Sequence, residues 1–147
     1  MKQVILTAEG SSIEYSGGWA CILRCGNGIR EFSGSKAEAS APHMELRAVL
    51  EGLKALLEPC EVLVRTHSSY VCDGMTRWMK GWRQRGFQKK APKSKRTDIL
   101  YRDDWMLLDQ LLGKHTVIVE RLRGETSYSD TNRCDRLANH AARAAGV

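Results

Sequence analysis

Five side chains that can transfer protons or coordinate cations stand at predicted strand ends or near predicted helix starts. Glu9 follows the first strand, His67 follows the fourth, and Glu125 follows the fifth. Glu45 lies early on the first long helix, and Asp135 lies early on the last. In sheets that combine strands with helices, sites gather at the strand ends and the adjacent helix starts. Carboxylates and an imidazole at one such edge can act as acids and bases or bind a metal ion.

The elements that would position these residues are predicted in the order β-β-β-α-β-α-α-β-α. Apolar runs predict the strands, apolar residues at helical spacing predict the helices, and Gly26–Asn27–Gly28 marks a tight hairpin. Glu9–Ser12 is interpreted as a turn. In chain order the elements cover 3–8, the hairpin 17–34, 41–60, 61–66, 68–82, 98–115, 116–124 and 130–146. This order predicts an α/β fold, a mixed five-stranded sheet with flanking helices, in one domain spanning residues 1–147.

Positive charge is concentrated in one segment. The net charge is +6, but Arg77 to Arg96 alone contains nine Lys or Arg residues and no acid, so the remainder is net negative. Such an excess favours a polyanionic partner, most simply nucleic acid. The alternative is a lysine-rich loop that is only solvated.

The remaining composition predicts an ordinary intracellular protein. No apolar run is long enough to cross a membrane, and the N-terminus leads directly into strand-like sequence, so a cytoplasmic location is expected. The five cysteines are odd in number and scattered, which is typical of reduced thiols. A monomer is the default expectation, and the histidines other than His67 are assigned no role.

Several short blocks of the sequence resemble ribonuclease H type 1, the family that cuts the RNA strand of RNA–DNA hybrids. The resemblance covers nearly the whole chain in order, through AEGS, HMEL, RTHSSYV, RWMKGWRQRGF, DDWMLLDQLLGKH and NRCDRLA. MELRA, the tryptophan-containing basic segment and RCDRLA are specific together, although each is weak alone. The resemblance implies the ribonuclease H-like fold, with a basic protrusion at about residues 77–97, a name kept below for that segment.

The resemblance also implies a metal-dependent nuclease. In the family, two Mg²⁺ ions straddle the scissile phosphate, where one activates water and the other stabilises the leaving oxygen. Four acidic side chains normally supply the oxygen ligands, and a histidine on a flexible loop handles protons or product. Glu45 and Asp135 match the family by position. Glu9 and His67 replace aspartates, and Glu125 replaces the loop histidine, so that Glu125 is either a catalytic residue or a solvated loop residue.

These replacements predict that Mg²⁺-dependent cleavage is impaired or lost. Imidazole is a poor Mg²⁺ ligand, although it suits Zn²⁺, Mn²⁺ or Fe²⁺. Glu9 adds a methylene at the bridging position, and a displacement of about an ångström can cost on the order of a hundredfold in rate. If a divalent ion such as Mg²⁺ or Mn²⁺ binds, the candidate ligands are Glu9, Glu45, His67 and Asp135. We favour the alternative that His67 fills the vacated metal space, paired with Glu9 or Asp135, because a cationic imidazole neutralises carboxylates.

The surfaces that would contact nucleic acid differ in how well they match the family. In the family, polar residues near the start of the first long helix contact RNA 2′-hydroxyls, whereas residues 39–43 here are ASAPH. The basic protrusion keeps its pattern, in which rigid aromatics hold the segment while cations face phosphates. The alternative is that the tryptophans are only core residues. The predicted nucleic-acid-binding residues are Arg77, Trp78, Lys80, Trp82, Arg83, Arg85, Lys89 and Lys90.

Three functions follow from these features. The favoured one is a ribonuclease H-like protein that binds RNA–DNA hybrid or other duplex nucleic acid, with weak or absent hydrolysis. The first alternative is an active, divergent endoribonuclease that uses Mn²⁺ or another divalent ion with a Glu/Glu/His/Asp set. The second alternative is a non-catalytic relative that binds a protein partner.

Overall fold

The computed structural model describes residues 1–145, which form one mixed five-stranded sheet with flanking helices. The strand order is β3-β2-β1-β4-β5, with β1, β2 and β3 antiparallel and β4 and β5 parallel to β1. This architecture confirms the predicted fold class. The strands are β1 Lys2–Ile13, β2 Ser16–Cys25, β3 Gly28–Lys36, β4 Cys60–Thr66 and β5 Thr116–Arg121. The helices are α1 Ala41–Lys54, α2 Ser69–Asp73, α3 Met79–Gln84, α4 Arg102–Lys114 and α5 Ser129–Ala145.

Helices cover both faces of the sheet. Successive residues of a strand point to opposite faces, so each strand supplies apolar side chains to both layers of helices. On β2, Cys21 and Leu23 belong to the main core together with α1 and α4. Ala20 and Ile22 alternate with them and pack on the other face, against Cys134 of α5. All five cysteines are free thiols. Within residues 1–145, no helix has the length and apolar character needed to cross a membrane.

The predicted turn at Glu9–Ser12 is wrong, because these residues continue β1 as far as Ile13. The chain reverses at Glu14 and Tyr15, whose φ angles of 50° and 68° form a two-residue hairpin turn with left-handed backbone. Neither residue is the glycine or asparagine that usually adopts this backbone, so the sequence pattern does not reveal the turn.

Glu9 therefore lies inside β1, opposite Ala20 of β2, rather than after the end of a strand. The parallel pairing between β1 and β4 ends earlier, at Thr7 and Arg65. Because the β1–β2 hairpin extends beyond this pair, Glu9 lies past the carboxyl end of β4, where a site was expected.

Element ends differ from the prediction by a few residues. Helix α1 ends at Lys54, and α4 begins only at Arg102, after Tyr101 with its φ of 56°. A π-helical turn at Gly74–Trp78 joins α2 to α3 within the predicted helix 68–82. The predicted end of the last helix at Gly146 lies outside the described residues.

Strand β5 ends at Arg121 rather than at Gly124. The next residue, Leu122, is buried, and its N–H donates to the carbonyl of Thr66 at 2.8 Å. This contact turns the chain towards the end of β4, and it starts the loop that leads past His67 to α5.

Candidate active site and nucleic-acid interface

Four of the predicted site residues meet at one edge of the sheet. Glu9 in β1 is buried, Glu45 on α1 and His67 after β4 are half-buried, and Asp135 on α5 is exposed. Their charges interact, since Glu9 lies within electrostatic reach of Glu45, and Asp135 lies within reach of Glu9 and His67. The cluster is therefore assembled from residues of four separate elements.

Helices α1 and α5 can carry acids to this edge because they lie unusually close to the sheet. A Cβ atom on Gly18 of β2 would stand 2.2 Å from the carbonyl oxygen of Ala138 and 2.3 Å from the nitrogen of Ala142. Gly10 of β1 leaves similar room beside Glu45 on α1. Glycine at these two positions thus determines how near the helical carboxylates come to Glu9.

Hydrogen-bond acceptors hold His67 at both ring nitrogens. The Nδ1 atom lies 2.7 Å from Glu9 Oε1, and the Nε2–H donates to the carbonyl of Gly124 at 2.8 Å. Because a carbonyl oxygen can only accept, Nε2 carries a proton, and a second proton lies between Nδ1 and the Glu9 carboxylate. The Glu9–His67 pair is net neutral whichever of these two atoms holds the shared proton.

The environment of the pair favours its protonated form. Burial raises the pKa of Glu9, the interaction with His67 lowers it in part, and the charge of Asp135 raises it. Burial lowers the pKa of His67. Its hydrogen bonds to Glu9 and Gly124 and the nearby negative charges raise this pKa by more than burial lowers it, so the net shift is upward. A proton is therefore retained at this point of the cluster.

Glu45 is the second carboxyl group that holds a proton readily. Burial and then the charge of Glu9 raise its pKa to about 7, while a hydrogen bond with Ser68 and the charge of His67 lower it. The Ser68 hydroxyl also accepts from the N–H of Val71 at 3.1 Å and begins α2. Ser68 is not among the site residues predicted from the sequence, although a serine just before a helix is a recognisable cap signal.

The loop between β5 and α5 contacts the cluster through its backbone. The contact is made by the carbonyl of Gly124, whereas the side chain of the next residue, Glu125, is exposed. Further along, the guanidinium of Arg65 lies over the ring of Tyr128, 3.8 Å from its centroid. A catalytic role for Glu125 stays a prediction, and the Gly124 contact has no signal in a sequence pattern.

The candidate metal ligands do not fit a divalent cation in this arrangement. Both nitrogens of His67 are engaged by hydrogen bonds, so neither offers a lone pair, and Glu9 shares its proton with one of them. Across the described 145 residues, no three His, Cys, Asp or Glu side chains are arranged to hold a metal ion. The cluster is closed by its own hydrogen bonds.

Comparison with known proteins assigns the chain to a family. The family model for RNase H matches residues 1–143. The chain belongs to the ribonuclease H family. Ribonuclease H of Erythrobacter litoralis (strain HTCC2594) is 43% identical over 144 residues, which cover 97% of this chain and 97% of that protein. The family predicted from short sequence blocks is thereby confirmed.

Two solved structures share the ribonuclease H fold of this chain. LC9-RNase H1, described as a type 1 RNase H with the type 2 active-site motif, has a TM-score of 0.85 at 24% identity, covering 99% of this chain and 74% of that one. LC11-RNase H1, solved in complex with RNA/DNA hybrid, has a TM-score of 0.65 at 17% identity, covering 98% and 99%. At these identities the likeness concerns the fold alone.

The basic protrusion of this ribonuclease H family member rests on an aromatic base. The ring of Trp82 lies 4.9 Å from that of Trp105 and 5.8 Å from that of Trp78, between centroids. Phe87 is buried, and its N–H donates to the carbonyl of Trp82 at 2.7 Å. Trp82 and Phe87 therefore anchor the segment, while Trp78, 38% exposed, lies at the surface.

The predicted cations of the basic protrusion differ in whether they already contact an acceptor within the protein. Arg83 Nε donates to Asp109 of α4 at 2.6 Å, so its charge is already paired. Arg85 Nε donates to the Gln88 carbonyl at 3.4 Å, and Arg77 lies 4.0 Å from a carboxylate oxygen of Asp73. Exposed lysine side chains are present at Lys80, Lys89 and Lys90.

An unpredicted group lies at the start of α1. The ring of His43 stacks on that of Tyr101 at 4.0 Å with an interplanar angle of 11°, and its Nε2 lies 2.8 Å from Asp104 Oδ2. The hydroxyl of Tyr101 lies 2.9 Å from that of Ser40. Ser40 and His43 of this group belong to residues 39–43, where the resemblance to ribonuclease H type 1 predicted a loss of RNA-contacting residues. No local pattern could reveal it, because His43 and Asp104 are 61 residues apart.

Proposed function

We propose that this protein binds RNA–DNA hybrids, or other duplex nucleic acid, through its basic protrusion and hydrolyses RNA weakly or not at all with Mg²⁺. The observation that carries the proposal is the closed Glu9–His67 pair at the position where the family places metal-binding aspartates. The two parts of the proposal, binding and weak hydrolysis, rest on different residues.

Hybrid binding is supported by family membership and by the charge of the protrusion. Exposed Lys80, Lys89 and Lys90 can each neutralise a phosphate and release its counterion, which is the main source of affinity for duplex backbones. The partly exposed ring of Trp78 lies on the same segment. These groups stand on a base that is anchored to the core, so that little ordering is needed on binding.

Weak hydrolysis is supported by the state of the cluster. Cleavage of a phosphodiester requires a base for the attacking water and neutralisation of the charge that develops on the leaving oxygen. Glu45, with a pKa of about 7, can accept a proton near neutral pH. The two N–H groups of His67 are both used inside the protein, so they are not available to the phosphate.

The test is a cleavage assay on an end-labelled RNA–DNA hybrid, run with Mg²⁺ and in parallel with Mn²⁺. The proteins compared are the natural chain, the His67→Ala variant and a double variant carrying Glu9→Asp and His67→Asp. We expect the natural chain to bind hybrid but to cleave it at least about a hundredfold more slowly in Mg²⁺ than the double variant.

Three outcomes would contradict this proposal. Cleavage by the natural chain in Mg²⁺ at a rate close to that of the double variant would show that the Glu/Glu/His/Asp set is a working site. Cleavage in Mn²⁺ that disappears in His67→Ala would show that His67 opens to become a metal ligand, which is the divergent-enzyme alternative. Failure to bind hybrid would remove the other half of the proposal.

A further inference from the structure

The charge of the candidate site is unusually low for a cluster of acids. Glu9 and His67 together contribute no net charge, because one proton lies between them. Glu45, half-buried on α1, and Asp135, exposed on α5, are the two further acids of this set. Four ionised carboxylates at the same positions would repel a phosphate far more strongly than this arrangement does.

The imidazole of His67 is held among the carboxylates, where a cation would be needed to neutralise them. His67 follows the last residue of β4, and Glu9 lies just past the end of the parallel pairing between β1 and β4. The ring bridges a buried carboxylate on one side and the loop after β5 on the other, through the Gly124 carbonyl. The N–H of Leu122, which donates to Thr66, ties the same loop to the same strand. Opening the cluster would therefore break contacts on both sides of the ring.

We propose that, within the Glu9–His67 pair, His67 neutralises the Glu9 carboxylate in place of a divalent cation. Duplex phosphates can then approach this site without any divalent metal. The proposal rests on the hybrid binding proposed above. It adds that affinity for hybrid does not depend on Mg²⁺ and that the natural site takes up no Mg²⁺. In place of a diffusible ion, the chain carries a fixed imidazole that also holds the loop at Gly124 against β4.

The binding experiment measures the affinity of a fluorescein-labelled RNA–DNA hybrid by anisotropy, in EDTA and in Mg²⁺ at constant ionic strength. For the natural chain we expect dissociation constants that agree within about threefold in the two conditions. For His67→Asp, we expect about tenfold or more weaker binding in EDTA, recovered largely by Mg²⁺, because a second carboxylate then faces Glu9. His140→Asp, the same substitution at an exposed position of α5, is the matched control and should acquire no dependence on Mg²⁺.

A second measurement needs no nucleic acid and separates this proposal from the proposed function. Isothermal titration of each protein with Mg²⁺ should give no binding heat for the natural chain, and binding for the variant that combines Glu9→Asp with His67→Asp. Uptake of Mg²⁺ by the natural chain that is lost in Glu9→Gln would overturn the proposal, whether or not hybrid binds. Hybrid affinity that falls about tenfold when the natural chain is placed in EDTA would overturn it as well.

Discussion

Gly10 of β1 lies directly against the backbone of Glu45 on α1. A Cβ atom on Gly10 would stand 2.3 Å from the nitrogen of Glu45 and 2.5 Å from the carbonyl carbon of Met44. Both of these atoms belong to the helix backbone, which cannot rotate away as a flexible side chain could. The separation between the first strand and the helix that carries Glu45 is therefore set by the absence of a side chain at residue 10.

Replacing Gly10 with alanine should push α1 away from β1 and destabilise the protein by about 2 kcal/mol or more, as overpacking does. Urea unfolding followed by circular dichroism measures this change. Gly113→Ala is the matched control, because a methyl group on this residue of α4 would have no neighbouring atom within 4 Å. Alanine in place of glycine within a helix should stabilise it by about 0.5–1 kcal/mol. Equal unfolding free energies for the two variants would contradict the close approach at Gly10.

Glu45→Gln should stabilise the metal-free protein at high pH but not at low pH. Burial raises the pKa of Glu45 from 4.5 to about 7. Below pH 4.5 both the folded and unfolded chains are protonated at this residue, so the carboxyl costs nothing there. As the pH rises towards 7 the unfolded chain ionises first, and the natural protein loses stability that the amide variant keeps. We expect a difference of roughly 1–3 kcal/mol in the unfolding free energy at about pH 8.

The measurement for Glu45→Gln is urea unfolding in EDTA at several pH values between about 4 and 8, a range that spans the ordinary and the raised pKa. Glu125→Gln removes the same charge from an exposed loop side chain and should change the unfolding free energy by less than about 0.5 kcal/mol throughout. A Glu45→Gln effect that is the same at both ends of this range would show that Glu45 does not carry a raised pKa in the folded state.

His115 should make stability fall on the acid side of neutrality. Its Nδ1 accepts from the N–H of Cys60 at 3.0 Å, which requires an unprotonated nitrogen. Burial and then the charge of Lys114 lower the pKa of His115 below 6.5. The unfolded chain takes up a proton as the pH drops through 6.5, before the folded chain does, so folding loses free energy from there down to the folded pKa.

The His115→Gln variant lacks this titration, while its amide oxygen can still accept from Cys60. The difference in unfolding free energy between the natural chain and this variant should therefore be largest at high pH and shrink below pH 6.5. His140→Gln, at an exposed position on α5, is the control and should show no such trend. A constant difference across the range would mean that His115 keeps its ordinary pKa.

Local patterns were sufficient to predict much of this architecture. They failed where contacts between residues far apart in the chain determine the structure. The apolar spacing of α1 placed Glu45 near the start of a helix, and the buried strand before His67 placed that residue at the edge of a sheet. The extension of β1 past Glu9 depends on a hairpin turn at Glu14–Tyr15 whose residues carry no turn signal. The bond from His67 to Gly124 joins residues 57 positions apart and uses a backbone atom, so residue type could not indicate it.

Two exposed lysines test the basic protrusion. Replacing Lys89 and Lys90 with alanine should weaken hybrid binding about tenfold and lower the slope of log affinity against log salt concentration by nearly 2, because each phosphate contact contributes about 0.9. Anisotropy titrations over a range of salt concentrations measure both quantities. Lys54→Ala with Lys114→Ala is the control, since these lysines lie at the ends of α1 and α4, away from Glu45. An unchanged salt slope in the Lys89/Lys90 variant would place the duplex elsewhere on the protein.

Arg83 should contribute less than these lysines because its charge is already neutralised. Its Nε donates to Asp109 at 2.6 Å, so a phosphate would have to compete with a carboxylate for the same guanidinium. Arg83→Ala is therefore expected to change hybrid affinity by less than about threefold, whereas Asp109→Ala should increase affinity and raise the salt slope by about 0.9 as the guanidinium becomes free. The same anisotropy titrations provide the measurement. A loss on Arg83→Ala as large as that of the double lysine variant would show that Arg83 leaves Asp109 to bind a phosphate.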